Sequence, residues 1–404
     1  MPGFLSPANL TLLIVALAAL AVLFWPRLSG APAWRATVTP LASIIGSGFL
    51  IAGPILYEAA GPLALAAMAG LCAAAFLYGS ANRYLITAFD PLKGTGGVPA
   101  HELYLDKAGD LALALAYFVS VAYYLNLLAA FGLRLFDVTD EGAIRLVATG
   151  AIALIGIVGA FGGLKALERL EVPSVAIKLA VIAGLIAALG LSAVETGLAR
   201  AFARPLPGWD AAPTVLGLLI LVQGFETSRY LDAEYDAPTR VRTMFRAQVI
   251  STLIYLVFIL LGAPFFEGAM PQNGAETAII DMLRPLAVLV GPMLILAALA
   301  SQFSAAIADA GGAGGLIGDV SGHRIPMKAG TLATALAAAA ITWSADIFQI
   351  VAYASRAFVL YYGLTALIAV LVARRRGDAL RMAVYGAGIF LAVLILVFAE
   401  AANA

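Results

Sequence analysis

The chain has 404 residues, 62% of them hydrophobic and 12% charged, with a mean hydropathy of +0.97 and a formal net charge of zero. So little polar surface cannot cover a water-soluble particle of this size, which places the chain among integral membrane proteins. The neutral charge balance excludes an extended nucleic-acid-binding face. The one basic run, Arg374, Arg375 and Arg376, abuts a hydrophobic segment, where it acts as a cytoplasmic stop. A single cysteine, Cys72, rules out an internal disulfide, and the separated histidines His101 and His323 provide neither a metal cluster nor a redox pair.

About twelve apolar stretches are long enough, or nearly so, to cross a hydrocarbon layer of ~30 Å. In chain order they lie near 9–25, 36–57, 62–88, 110–135, 143–161, 172–192, 213–231, 246–266, 283–308, 328–343, 346–373 and 381–399. The first could pass for a secretory leader, since Ala31-Pro32-Ala33 looks like a small-residue cleavage site. Its first ten residues carry no Lys or Arg, however, so it reads as a retained extra helix. With residues 1–35 set aside as this N-terminal helix and its loop, five stretches over 36–192 and five over 213–373 form two halves. An external loop at 193–212 separates them, and a basic loop and final helix follow at 374–404. Five is odd, so the second half enters the membrane from the opposite side, giving a five-plus-five inverted repeat. In alternate loops, seventeen Lys and Arg fall on one side and five on the other, which assigns the first side to the cytoplasm and both chain ends to the outside. Arginine outnumbers lysine nineteen to five and alanine is abundant, a bias of GC-rich bacterial genomes that points to a multi-pass protein of a bacterial cytoplasmic membrane.

Two of these segments are interrupted where a membrane helix should be smooth. Gly46-Ser47-Gly48 breaks PLASIIGSGFLIAGP, and Gln223-Gly224-Phe225-Glu226 breaks LILVQGFETSRYL. Each opens one half, and a paired break at matching positions points to the binding site of a secondary transporter, near mid-membrane. Unwound backbone at that depth is tolerated only where it is buried in protein or lines a cavity. The alternative is that these glycines merely let helices approach closely.

These residues resemble the amino acid-polyamine-organocation (APC) superfamily of transporters, whose fold is the LeuT-type inverted repeat. IIGSGF at 44–49 is similar to the family's first-helix motif and GFE at 224–226 to its sixth-helix motif. AEYDAPTRVRTMFRAQ at 233–248 and PLKGTGGVPAHELYLDKAGD at 91–110 are similar to two of its cytoplasmic loops, and the likeness runs from 36 to roughly 400. The resemblance implies secondary active transport of an amino acid or amine by alternating access, coupled to protons or working as an exchanger. The partners it implies are a small solute, the proton and the lipid bilayer. An inorganic cation transporter on the same scaffold, or a non-transporting solute sensor, remains an alternative. The sequence departs from the family at Gln223, where many members have an acidic or aromatic residue, and in ADAGGAGGLIGD at 308–319, which reads as a flexible cytoplasmic end of the eighth helix. That glycine run lacks the GK[ST] ending of a phosphate loop, and Gly46-x-Gly48 lacks the later glycine of a dinucleotide fingerprint, so no cofactor is expected. No Ser/His, HExxH or paired-aspartate arrangement suggests an enzyme.

The broken helices suggest the chemistry. Free amides around Ser47, Gly48 and Phe49 can hold a carboxylate. The carbonyls of Ser43 and Ile44, with Gln223 opposite, can accept from an ammonium. Phe225 either caps the pocket or packs, and Tyr124, near Tyr123 and Asn126, is a further candidate. Lys178 lies about two turns into an apolar helix, where an uncompensated charge costs at least ~2.5 kcal/mol, so it needs a partner or a lowered pKa. By the resemblance it matches the fifth-helix lysine of many sodium-independent members, whose amine stands in for a sodium ion, and Ser301 and Ser304 would be its neighbours. Glu226 and Arg356 both lie at membrane depth, where they could form a permanent pair or a gate.

Overall fold

The structure is a computed structural model that describes residues 3–46, 48–161, 171–197, 208, 211–232, 234–267 and 274–401. Most of the inter-repeat loop expected at 193–212, and the candidate Ser47, lie outside the described residues. The described chain is helical, with no strand among the described residues. It opens with α1 (Pro7–Leu23), capped by the Ser6 hydroxyl, and a short helix at Pro26–Ser29. The first half contains α2 (Pro32–Ile44), α3 (Gly48–Ala60), α4 (Ala64–Ala88), α5 (Ala100–Leu133), α6 (Glu141–Ala160) and α7 (Glu171–Thr196). The second begins with α8 (Ala211–Leu216), which passes into tight 3₁₀ turns at Leu219–Val222 and Phe225–Tyr230, and continues with α9 (Ala237–Gly262), α10 (Val290–Val320), α11 (Met327–Ser344) and α12 (Ile347–Arg375). The final helix is α13 (Ala379–Phe398).

Nine helical segments among the described residues are long and apolar enough to cross a membrane. That is fewer than the count of about twelve suggested by apolar length alone. The reasons are local. α1 has 17 residues, α2 and α3 are two halves of one crossing, α3 runs through a 3₁₀ turn at Gly61–Leu63 into α4, and α11 is lowered in apolar character by Lys328, Ser344 and its threonines.

The helix ends are set by ordinary capping. Asp140 caps α6 through the Ala143 amide at 2.8 Å, and Asp346 caps α12 in a reciprocal box with Gln349. Asp236 caps α9, and the Thr239 hydroxyl and amide hold its carboxyl below the usual carboxylate range.

In the bundle, α5 is the central post, packed against α6, α10, α11 and α12, while α9 holds α2 and α4 and the added helix α1 lies along α7. Lipid offers no hydrophobic drive for helix association, so these contacts depend on close approach at small residues. A Cβ on Gly184 of α7 would strike the Leu12 carbonyl of α1. The glycine-rich stretch 308–319 is not a flexible end. It lies within α10, with Asp309, Ala310, Gly311, Ala313 and Gly314 buried, because its small residues let α11 pass against it. A Cβ on Gly314 would come within 2.6 Å of the Thr331 hydroxyl and 2.8 Å of the Met327 carbonyl. Gly314→Val should therefore force α10 and α11 apart at a cost of about 1–3 kcal/mol. A lowered unfolding temperature in detergent is the expected readout, and an unchanged one would contradict this crossing.

Candidate functional site

The two interruptions meet. Gly224 adopts φ +113°, a backbone conformation that L side chains rarely take, and a Cβ there would run into the Ser43 side chain and come within 2.8 Å of the Ile44 amide. Gly48 lies against the other break, where an added Cβ would be 2.8 Å from Leu221 Cα and 2.8 Å from the Tyr255 hydroxyl. Tyr255 of α9 reaches between them, its hydroxyl 2.9 Å from the Ile44 carbonyl and 2.7 Å from the Leu221 carbonyl. Ser355 of α12 supports the approach to the second break: its hydroxyl donates to the Gly217 carbonyl at 2.6 Å and accepts from the Ile220 amide at 3.0 Å. The backbone groups freed by unwinding are thus partly satisfied from within the protein.

This changes what is left for a ligand. The Ser43 carbonyl accepts from the Gly46 amide at 3.1 Å and the Ile44 carbonyl faces Tyr255, so neither is the open acceptor that unwinding alone would leave. The Gly224 amide donates to Glu226 Oε2 at 2.9 Å, and the Tyr362 hydroxyl donates to the same oxygen at 2.8 Å. Gln223 donates through Nε2 to the Tyr124 hydroxyl at 3.0 Å. Among the described residues beside the two breaks, four oxygens are buried without a hydrogen-bond partner: Ser43 Oγ, Gln223 Oε1, Glu226 Oε1 and Ser228 Oγ. A buried acceptor left this way costs free energy, and a bound cation or donor would recover it. Phe49 packs its ring on Phe258 at 4.3 Å, and Phe225 stacks on Tyr362 at 5.1 Å, which in turn stacks on Tyr78 at 5.0 Å. Both phenylalanines are buried and packed on neighbouring rings in this arrangement.

Lys178 is 1% exposed. Its ammonium donates to the Ala42 carbonyl at 2.6 Å and lies 3.4 Å from the Ser301 hydroxyl, joining α7 to α2 just before its break and to α10. Ser304 turns its hydroxyl back to the Ser301 carbonyl at 3.1 Å and reaches the lysine only through that neighbour.

Glu226 and Arg356 do not pair. Glu226 is bound as described, whereas Arg356 lies half-buried on α12 and donates to the Ala399 carbonyl at the end of α13. With no shared partner, the two are expected to act independently. The losses in thermal stability for Glu226→Gln and Arg356→Gln should add in the double variant to within about 0.5 kcal/mol, and a larger coupling would place them together.

Several residues of the site escaped the sequence reading. Asp309 of α10 is 2% exposed and hydrogen-bonded to Ser120 of α5. The signal was present, since an acidic residue inside an apolar run is costly, but the surrounding glycines made the stretch look like a loop. Tyr255, Ser355 and Tyr362 had no signal, because a hydroxyl on a membrane helix looks the same whether it bridges or merely packs.

A second polar node closes the basic end of the bundle. Arg229 is buried and bonds Asp90 at 2.7 Å and Asp106 at 2.9 Å. Lys93 joins Asp106 at 2.6 Å, and Arg240 donates to the Arg229 carbonyl at 2.6 Å. At the other end of α5, a cavity of about 860 Å³ opens beside Asn126, Thr139, Glu276 and Asp346.

Two broken crossings packed face to face in a membrane-spanning bundle define a secondary-transporter scaffold of LeuT type. The chain belongs to the APC superfamily of transporters, whose family model matches residues 26–399. It is 40% identical over 372 residues to an uncharacterized protein of Aquifex aeolicus (strain VF5), covering 91% of each chain. A solved structure of a Na+-coupled sialic acid symporter in a substrate-bound outward-open state shares the fold, with a TM-score of 0.55, 13% identity and 100% of both chains covered.

Removing the Tyr255 hydroxyl tests the bridge between the breaks. Tyr255→Phe leaves the Ile44 and Leu221 carbonyls without their donor, so stability should fall by about 1–3 kcal/mol, measured by thermal unfolding.

Proposed function

We propose that the chain moves an amino acid or amine across a bacterial cytoplasmic membrane by alternating access, without sodium, either coupled to protons or as an exchanger. The observation that carries this reading is Lys178, whose ammonium sits between the Ala42 carbonyl at 2.6 Å and the Ser301 hydroxyl at 3.4 Å. A positive charge already resident among a carbonyl from a broken helix and a hydroxyl from α10 supplies what a bound cation would supply there, and its own cost is offset by those oxygens. The solute's positive pole has matching acceptors in Ser43 Oγ, Gln223 Oε1 and Glu226 Oε1, all buried and unpartnered. The ion pairs around Arg229 close the basic, cytoplasmic end while a broad cavity opens at the other, an arrangement in keeping with an outward-facing stage of the cycle.

The same acceptors favour a second reading, transport of an inorganic cation, since the unpartnered atoms at the breaks, Ser43 Oγ, Gln223 Oε1, Glu226 Oε1 and Ser228 Oγ, are hard oxygens. Competition separates the two: excess amino acid or amine should block uptake under the first reading and leave it unchanged under the second.

Purified protein in liposomes tests the proposal. Uptake should proceed with no sodium present, and Lys178→Ala should lower it by roughly tenfold or more while the protein remains folded, since a coupling interaction of this kind is typically worth 5–150-fold. Uptake that required a sodium gradient in the unaltered protein would overturn the reading.

A further inference from the structure

We propose that Asp309, with Ser120 as its hydrogen-bond partner, is the proton-binding group that couples transport to a pH gradient, at a site separate from the Lys178 node. This rests on the transporter reading above and names its coupling ion and the residue that carries it.

Asp309 lies in the interior of α10, 2% exposed, and forms no salt bridge among the described residues. Its hydrogen-bond partner is the Ser120 hydroxyl, which also lies 3.1 Å from the Tyr117 carbonyl. That placement gives the serine a use in both protonation states. When Asp309 is ionised, Ser120 turns its single hydrogen to the carboxylate. When Asp309 is protonated, its own O–H donates to Ser120 Oγ and the serine donates to the Tyr117 carbonyl. Neither state leaves a buried donor unsatisfied, which a fixed ion pair could not achieve.

The second observation lies across the bundle. Glu226 is 0% exposed and its Oε1 has no hydrogen-bond partner. Gln302, seven residues before Asp309 and so on the same face of α10, is also fully buried with both side-chain polar atoms unpartnered. An ionised carboxylate whose partner is a single hydroxyl is costly in a low-dielectric core, and a second buried carboxylate in the same bundle adds to that cost, which uptake of a proton removes. With Asp309 protonated, Glu226 remains as the one negative charge opposite the solute's positive pole. Without the proton a second negative charge shares the buried core with it. Proton and solute are thus bound together.

The titratable groups facing Asp309 are Tyr117 and Tyr124 of α5 and Glu226 from the second break. Lys178 of α7 meets α10 at Ser301, eight residues from Asp309 and so roughly 12 Å along the axis. The other helices packed on α10 bring charge only near their ends, at Arg35 of α2, Glu141 and Arg145 of α6, and Lys328 of α11, while Asp281 of the short helix Ala278–Met282 is paired with Arg134.

The test begins without any solute. Infrared difference spectra of the protein in liposomes, taken between acid and alkaline pH, should show the carbonyl stretch of a protonated carboxyl in apolar surroundings. Asp309→Asn should remove that band. Glu226→Gln should keep it and move its midpoint to lower pH, because one negative neighbour is gone. Should Asp309→Asn fail to fold, Ser120→Ala keeps the carboxyl, and the band should then shift in frequency. A band that survives Asp309→Asn, or that ignores Ser120→Ala, overturns the proposal. In a second arm, a mixture of radiolabelled amino acids serves as the probe. Accumulation driven by a pH gradient should fall by roughly tenfold or more in Asp309→Asn, and what uptake remains should no longer rise with the size of the gradient. Equal accumulation by both proteins overturns the proposal. Absence of amino acid flux in the unaltered protein overturns the choice of solute instead, and the infrared result still decides Asp309.

Discussion

An unwound backbone in the middle of a membrane survives only if its freed carbonyls and amides find partners inside the protein. Here that requirement organises the bundle. Tyr255, held on α9, spans the Ile44 and Leu221 carbonyls, and Ser355, held on α12, serves the Gly217 carbonyl and the Ile220 amide. α9 and α12 are therefore where they are partly because the two breaks need hydroxyls at those depths. The glycines do the complementary work: Gly224 and Gly48 lack the side-chain atoms that would hold the breaks apart.

The same economy governs charge. At the basic end, where water is close, Arg229 is balanced by the carboxylates of Asp90 and Asp106. In the core no such full pairs form among the described residues. Lys178 is held by a carbonyl and a hydroxyl, Glu226 by an amide and a phenol, and Asp309 by a serine. Neutral partners stabilise a charge less rigidly than an ion pair does, and they can be exchanged without leaving a bare opposite charge behind.

Much of this architecture was legible in the chain. Glycines within apolar runs betrayed both breaks, because nothing in a smooth membrane helix calls for Gly46, Gly48 and Gly224, and an isolated Lys178 betrayed a buried cation. What stayed hidden depended on partners distant in sequence. The Ile44 carbonyl is answered by Tyr255, and Arg356 is answered by the Ala399 carbonyl at the far end of the chain. The glycines of 308–319 misled for a physical reason: the same residues suit a loop or a tight helix crossing, and only the presence of Gly330 and Thr331 on α11 decides between them.

The added helix α1 has a mechanical meaning. Its backbone lies against Gly184 of α7, and its Asn9 side chain accepts from the Leu289 amide at 3.0 Å, at the N-terminal end of α10. One short helix thus straps together the two long helices that meet at Lys178. A cap of this kind is worth about 1 kcal/mol. Swinging α7 away from α10 at that end would forfeit it, so α1 adds resistance to any separation of these two helices.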